Sequence, residues 1–467
     1  MVVLLRAQLA VLAACALGGC GDNLAPTPEP VSGELLDRLR ALPGVTATPM
    51  STETDGFTYI VLQFTQPVDH EAPDGPTFQQ EVSLLHRDLG APMVVQTSGY
   101  FDYYLDSPVE LTRLLTGNQI SIEHRFFGGS RPEPADWSKL TIKQMADDQH
   151  EIITALRSIY DGAFLTTGGS KGGMTAIYHR RFYPDDVEGT VPYVAPQSFG
   201  APDLRYTAFV DTLGPAACRQ AVRDVAIELL ANRRAMVEGK AMEQATSEAF
   251  AYTRVALAPA VEVSIVSLEW AFWQYYGVGL CTSVPLPTAT DDELWGFLDL
   301  VSPPSDNDDV QVAAFDAYYH QAYAQLGYPD TGATYLDPYI QFADAAYDGS
   351  LPTAVPTYDG GAAMRDIDQW VRTEGARLLF VYGEWDPWTG GKFELGQATD
   401  SVSLTQPRGS HGARISRLDD ADEAAAHAKL AAWSGVTPTA IQPSRARLAE
   451  RREPRVPPVM IRALRAR

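Results

Sequence analysis

Gly168-Gly169-Ser170-Lys171-Gly172-Gly173 sets one serine hydroxyl among small residues, after the apolar run AFLTT and before a stretch of helical character. It fits G-x-S-x-G. A serine held on a sharp strand-to-helix turn needs such neighbours, because larger side chains would close off the hydroxyl. The helix start then aims the Lys171 backbone N–H at the place where an oxyanion would form. Such a serine needs a base, and the base needs a carboxylate to orient it. In the order serine, acid, histidine, Asp386 stands directly after the apolar run LLFVYG, and His411 lies in the Gly-flanked loop RGSHGAR. His427, on the Ala-rich DADEAAAHAKLAAW, reads as a surface residue, and His179, behind the serine, reads as packing. Asp366 and Asp368 lack a strand-end position.

Further groups fall into place around this triad. The loop Thr97-Ser98-Gly99-Tyr100 follows PMVVQ, so the Tyr100 backbone N–H is a second oxyanion donor or part of a plain turn. Glu123-His124-Arg125 ends another strand, where Glu123 and Arg125 form a structural ion pair or bind a substrate amine or carboxylate. GGSKGG lacks the G-x-x-x-x-G-K-[ST] spacing of a phosphate loop. No CxxC or HExxH spacing occurs, so neither a metal nor another cofactor is expected.

The elements that must position these residues are those of an α/β fold. The chain has 467 residues, 45% hydrophobic, 10% aromatic and 20% charged, which excludes a disordered or fibrous protein and suits one large decorated domain or two. Residues 57–64 and 77–88 read as an antiparallel strand pair. Apolar runs at 91–99, 118–128, 163–170 and 187–196 alternate with helical patterns at 145–160 and near 174–183, which argues for a mainly parallel sheet. Residues 203–365 read as a helical insertion broken by PLPTATDDE and SPPSDNDD, and strand texture returns at 376–386. The core is thus expected in two parts, 55–202 and 366–442. The interval from Ser170 to Asp386 exceeds what the sheet needs, so the insertion should form a cap over the site.

The net charge of −23 repels phosphate backbones and excludes nucleic acid as a partner. It also concentrates cations, free peptide amino termini among them. Residues 1–19 have the layout of a secretory signal, with Arg6 before an apolar run from Ala7 to Leu17 that is too short to span a bilayer. Leu17-Gly18-Gly19-Cys20 resembles a bacterial lipobox, with Cys20 lipidated after cleavage; an ordinary signal peptide is the alternative. A Pro-rich tether and linker runs over 20–54, and membrane contact would be through the lipid alone. In an oxidising compartment, Cys218 and Cys281 favour a disulfide over two buried thiols. Residues 443–467 hold eight Arg and read as a disordered basic tail.

GGSKGGMTAIYHRRFYPDDVEGTVPYVAP, GEWDPWTGG and GSHGAR resemble the secreted prolyl tri- and tetrapeptidyl aminopeptidases of actinomycete type, over roughly residues 55–435. EHRFFGGSRP and FWQYYGVGLC resemble the related prolyl carboxypeptidase and dipeptidyl peptidase family, whose elbow usually carries an aromatic residue where Lys171 stands. The resemblance implies an α/β-hydrolase core with a helical cap, and a serine exopeptidase that releases short peptides from a free amino terminus after proline. Ser170 would be nucleophile, His411 base and Asp386 its orienter. Glu123 and Arg125 match an element that lies near the active site in such enzymes. Proline would need an aromatic slot, which Trp270, Phe272, Trp273, Tyr275 and Tyr276 supply unless they are cap core. A carboxylesterase or lipase, a carboxypeptidase, and a silent surface binding protein on the same scaffold are the alternatives.

Overall fold

The computed structural model describes residues 33–103, 106–352 and 355–441, so the signal segment, Cys20, residues 20–32 of the tether and the basic tail lie outside the described residues. Nine strands form one sheet: β1 (Val45–Met50), β2 (Thr58–Pro67), β3 (Thr77–His86), β4 (Met93–Thr97), β5 (Asn118–Ile122), β6 (Phe164–Gly169), β7 (Gly189–Tyr193), β8 (Leu379–Gly383) and β9 (Val402–Gln406). Their order is β1-β2-β3-β5-β4-β6-β7-β8-β9. The first four in that order pair antiparallel, and from β5 to β9 every pairing is parallel.

Parallel strands joined by crossover helices are covered on both faces, so they read as unbroken apolar runs, and all five residues of β4, β5, β7 and β8 are buried. Successive side chains still alternate sides. Met93 and Val95 pack with Ile152, Ile153 and Leu156 of the helix Ile142–Arg157, whereas Val94 packs with Leu430 and Trp433 of the helix Asp420–Ser434. The helix Lys171–Phe182 leaves β6 and buries Ile177 and Tyr178 against Met364 of the helix Ala362–Thr373 and Phe380 of β8. This is the α/β-hydrolase arrangement expected from the sequence.

Three elements were not expected. The helix Gly33–Arg40 and β1 fall in the stretch read as linker, and β9 was not singled out. β1 and β9 are the edge strands of the sheet, and only Val45 and Ala47 of β1 and Leu404 of β9 are buried. One-sided burial leaves too few apolar residues to mark a strand.

Between β7 and β8, helices and turns replace strands among the described residues. Helices Ala216–Ala231, Leu257–Val266 and Asp291–Val301 share a separate core built on Val222, Leu229, Ile265 and Leu298. Cys218 and Cys281 are joined as a disulfide that ties the first of these helices to the turn Gly277–Ser283.

The Glu123-His124-Arg125 element is a knot that fixes the end of β5. The Arg125 guanidinium is fully buried and bidentate to Asp148, at 2.7 Å on each arm. It also donates to the carbonyls of Val68 and Lys139. Both ends of this pair are committed, so Arg125 ties β2, β5 and the helix Ile142–Arg157 together. Glu123 accepts from the Ser130 N–H and hydroxyl at 3.0 and 2.7 Å, closing the turn through Gly128. His124 N–H donates to the Tyr100 carbonyl at 2.9 Å, passing this rigidity to the loop after β4.

Burial, opposed by the Ser130 hydrogen bonds and reinforced by Glu81 and Asp102, pushes the Glu123 carboxyl up from 4.5 to about 8. The folded chain then keeps a proton up to about pH 8 that the unfolded chain releases near 4.5, so stability falls as pH rises between those values. The slope is at most about 1.4 kcal/mol per pH unit. Glu123→Gln keeps an oxygen for Ser130 and cannot ionise. Urea midpoints taken at about pH 5 and about pH 8 should therefore drop less in the variant than in the parent, and equal drops would show that Glu123 does not titrate in this window.

Candidate active site

Ser170 stands where β6 gives way to the helix Lys171–Phe182, with φ 54° and ψ −127°. That is a left-handed-side conformation a non-glycine residue holds at a cost of roughly 1–3 kcal/mol. Its neighbours enforce it. Ser170 N–H donates to the Tyr193 carbonyl at 2.9 Å, and Met174 N–H donates to the Ser170 carbonyl at 3.0 Å. The flanking glycines have a packing reason: a Cβ on Gly168 would lie 2.4 Å from the Gly172 carbonyl carbon, and one on Gly172 would lie 2.1 Å from the Thr97 carbonyl oxygen. Gly169 has open space around it and carries no such requirement.

Asp386 and His411 come from the turns after β8 and β9. Asp386 is fully buried, accepts the Trp388 N–H at 3.1 Å with one oxygen, and meets His411 Nδ1 at 2.7 Å with the other. An ionised carboxylate only accepts, so the proton lies on Nδ1 and Nε2 is left as the basic nitrogen. The insertion holds this loop as well: the Gln274 carbonyl accepts the His411 N–H at 2.9 Å. The Trp388 ring sits 6.1 Å from the His411 ring and edge-on to Trp270 of the insertion at 5.2 Å.

Ser170 opens onto a cavity of about 260 Å³. The sheet side contributes Tyr100, Lys171, Met174, Pro196 and Trp388. The insertion contributes Gln274, Tyr275, Asp306, Gln311, Phe315, Tyr318 and Tyr319. The helical segment therefore caps the serine, as its length implied.

Of the residues singled out in the sequence, the structure brings Ser170, Lys171, Tyr100 and Tyr275 to the cavity and joins Asp386 to His411 beside it. Tyr100 N–H is bonded to the Ser98 hydroxyl at 3.1 Å, so it would have to share or leave that bond to serve an oxyanion. Four other residues lie away from the cavity wall. Glu123 and Arg125 belong to the buried knot. Trp273 is fully buried in the core of the insertion, against Phe272 and Trp385, because Gly214 leaves room there for its ring. Tyr276 donates its hydroxyl to the Leu300 carbonyl at 2.7 Å. The aromatic wall comes instead from Phe315, Tyr318 and Tyr319. Their spacing puts them on one helical face, and FDAYYH was the signal that could have found them.

The Lys171 side chain is 2% exposed. Its amine donates to the Gly99 carbonyl and lies over the rings of Tyr100 and Phe127, 5.2 and 5.4 Å from their centroids. Burial pushes that amine well below the usual lysine range. Among the described residues, no group of three or more His, Cys, Asp or Glu is placed to hold a metal ion, and no helix is long and apolar enough to cross a membrane.

The arrangement is that of a serine acyl-transfer site, and comparison with known proteins agrees. The chain is 39% identical over 456 residues to a prolyl tri/tetrapeptidyl aminopeptidase of Streptomyces mobaraensis, covering 94% of each chain. It is 30% identical over 185 residues to a lysosomal Pro-X carboxypeptidase of Mus musculus, covering 34% of this chain and 37% of that one. Among solved structures, a proline iminopeptidase of Mycobacterium smegmatis aligns with a TM-score of 0.37 at 14% identity, over 79% of this chain and 96% of that one, a likeness too slight to bear on function. Residues 28–456 match a single peptidase family, and on that match and the full-length identity this chain belongs to the PS-10 peptidase S37 family.

Proposed function

We propose that this peptidase is a serine exopeptidase that releases tri- and tetrapeptides from free amino termini, cutting after proline. The observation that carries the reading is that one small cavity, roofed by the insertion, holds Ser170 and a wall of aromatic side chains. His411 Nε2 takes the Ser170 hydroxyl proton as Oγ attacks the scissile carbonyl. The Lys171 backbone N–H, at the helix start, holds the oxyanion. The C–N bond then breaks, His411 returns its proton to the departing amine, and the peptidyl ester on Ser170 is cleared by water that His411 deprotonates in turn. Asp386 holds the imidazole in the tautomer that this sequence needs.

Specificity follows from the walls. A proline ring is flat, apolar and without an N–H, so it suits a slot of aromatic faces such as Phe315, Tyr319 and Trp388 offer. The roof admits a chain end more readily than the middle of a folded polypeptide. The full-length similarity to a prolyl tri/tetrapeptidyl aminopeptidase supports the same substrate class. Residues 1–19 and Cys20 support an exported, lipid-anchored form, and the Cys218–Cys281 disulfide is consistent with an oxidising compartment.

Ser170→Ala should lower turnover of Ala-Ala-Pro-nitroanilide by about five to six orders of magnitude with an unchanged circular dichroism spectrum. Retained activity would remove the triad. The parent enzyme should cleave this substrate with a free amino terminus and leave its N-acetylated form nearly untouched. Equal cleavage of both would point to an endopeptidase, and cleavage of short acyl esters alone would point to a carboxylesterase. Cys20→Ser should shift the protein from the membrane fraction to the soluble one, and an unchanged distribution would refute the lipid anchor.

A further inference from the structure

An aminopeptidase has to distinguish a charged chain end from an internal peptide bond, and neither the triad nor the aromatic wall does so. Within the cavity lining, two residues carry formal charge, Lys171 and Asp306. The Lys171 amine is buried and directed at the Gly99 carbonyl, so it offers no counter-charge to a substrate amine. Asp306 comes from the insertion and is exposed. It lies in the same wall as Gln311, Tyr318 and Tyr319.

The backbone that presents Asp306 is well held. It lies in the turn Pro304–Asn307, whose Pro304 and Ser305 are buried. Asp306 N–H donates to the Pro303 carbonyl at 3.1 Å. Asp308, 2% exposed, caps the next helix by accepting the Gln311 N–H at 2.7 Å. Asp309 accepts from the backbone N–H groups of Thr253 and Arg254. Within the acidic run SDNDD, Asp308 and Asp309 accept backbone N–H groups, and Asp306 lines the cavity wall. Burial first and the nearby Asp306 carboxylate second push the Tyr319 hydroxyl pKa up, which places Asp306 beside the aromatic wall.

Resting on the exopeptidase reading above, we infer that Asp306 is the specificity-determining residue that binds the α-ammonium group of the substrate's free amino terminus. An ammonium has three N–H donors and no acceptor. The Asp306 carboxylate takes one, and the Gln311 amide oxygen and the ring faces of Tyr318 and Tyr319 are suitable partners for the rest of its surface. Ser170 on the floor and Asp306 on the roof then bracket the substrate. The span between them sets how many residues are released, because an extended peptide advances about 3.3 Å per residue.

The test compares free and N-acetylated Ala-Ala-Pro-nitroanilide on the parent enzyme, Asp306→Asn and Asp306→Glu, with fluorophosphonate labelling of Ser170 reporting whether each variant is folded. In Asp306→Asn, kcat/KM for the free substrate should fall roughly 10- to 100-fold, as loss of a charge-assisted hydrogen bond implies, and the ratio of free to acetylated cleavage should fall with it. Asp306→Glu should keep most of that ratio. A discriminating parent with an equally discriminating, labelled Asp306→Asn variant overturns the assignment and leaves the exopeptidase reading standing. A parent that does not discriminate overturns both. If Asp306→Asn fails to label, the ratio in Asp306→Glu decides: a collapsed ratio in a labelled Glu variant counts against a role for the carboxylate as such.

Discussion

A Cβ on Gly172 would sit 2.1 Å from the Thr97 carbonyl oxygen, and this closeness of a helix start to a strand end is the constraint on which the site depends. It forces β6 to turn sharply, and the turn throws Ser170 into a conformation that costs energy. The surrounding hydrogen bonds to Tyr193 and from Met174 over-determine that conformation, so the strain is held rather than relaxed. The same contact sets the loop after β4 against the helix start. The Thr97 hydroxyl donates to the Gly172 carbonyl at 2.6 Å, and the Lys171 amine reaches the Gly99 carbonyl from the other side. The elbow and the loop beside it therefore move as one piece.

That piece is backed by buried polar groups, each of which is costly unless partnered. Arg125 with Asp148, and Glu123 with Ser130, are such groups, and they sit one step behind the loop that carries Tyr100. Breaking Arg125–Asp148 would leave a buried charge without its partner, a loss of several kcal/mol, so the pair acts as a restraint more than as a source of stability. His124, whose amide holds the Tyr100 carbonyl, carries this restraint forward to the cavity. Position relative to the serine thus comes from the core, although none of these three side chains lines the cavity.

The candidate site was legible in the sequence because its demands are local. A strand-to-helix serine, an acid at a strand end and a Gly-flanked histidine each announce themselves within a few residues, and α/β alternation follows from periodicity. What stayed illegible depends on partners distant in sequence. Glu123 and Arg125 have the same letters whether they face a ligand or, as here, Ser130 and a buried Asp148. Trp273 and Phe315 are both aromatic residues in an insertion, and only the packing of the cap sends the first into its core and the second into the cavity wall. β1 and β9 were lost for another reason: as edge strands each buries too few side chains to leave a pattern.

The insertion is not a detachable roof. Its Gln274 carbonyl holds the amide of His411, its Trp270 packs edge-on against Trp388, and Trp273 meets Trp385 at 6.2 Å. Trp385 and Trp388 flank Asp386, so the cap is seated on the neighbours of the carboxylate that holds His411. Displacing the cap at this seam would disturb the histidine together with the aromatic wall. With Asp386 and His411 in the roles proposed above, peptide selection and acid–base chemistry are coupled through these shared contacts, while Asp306 enters the cavity wall from the turn Pro304–Asn307.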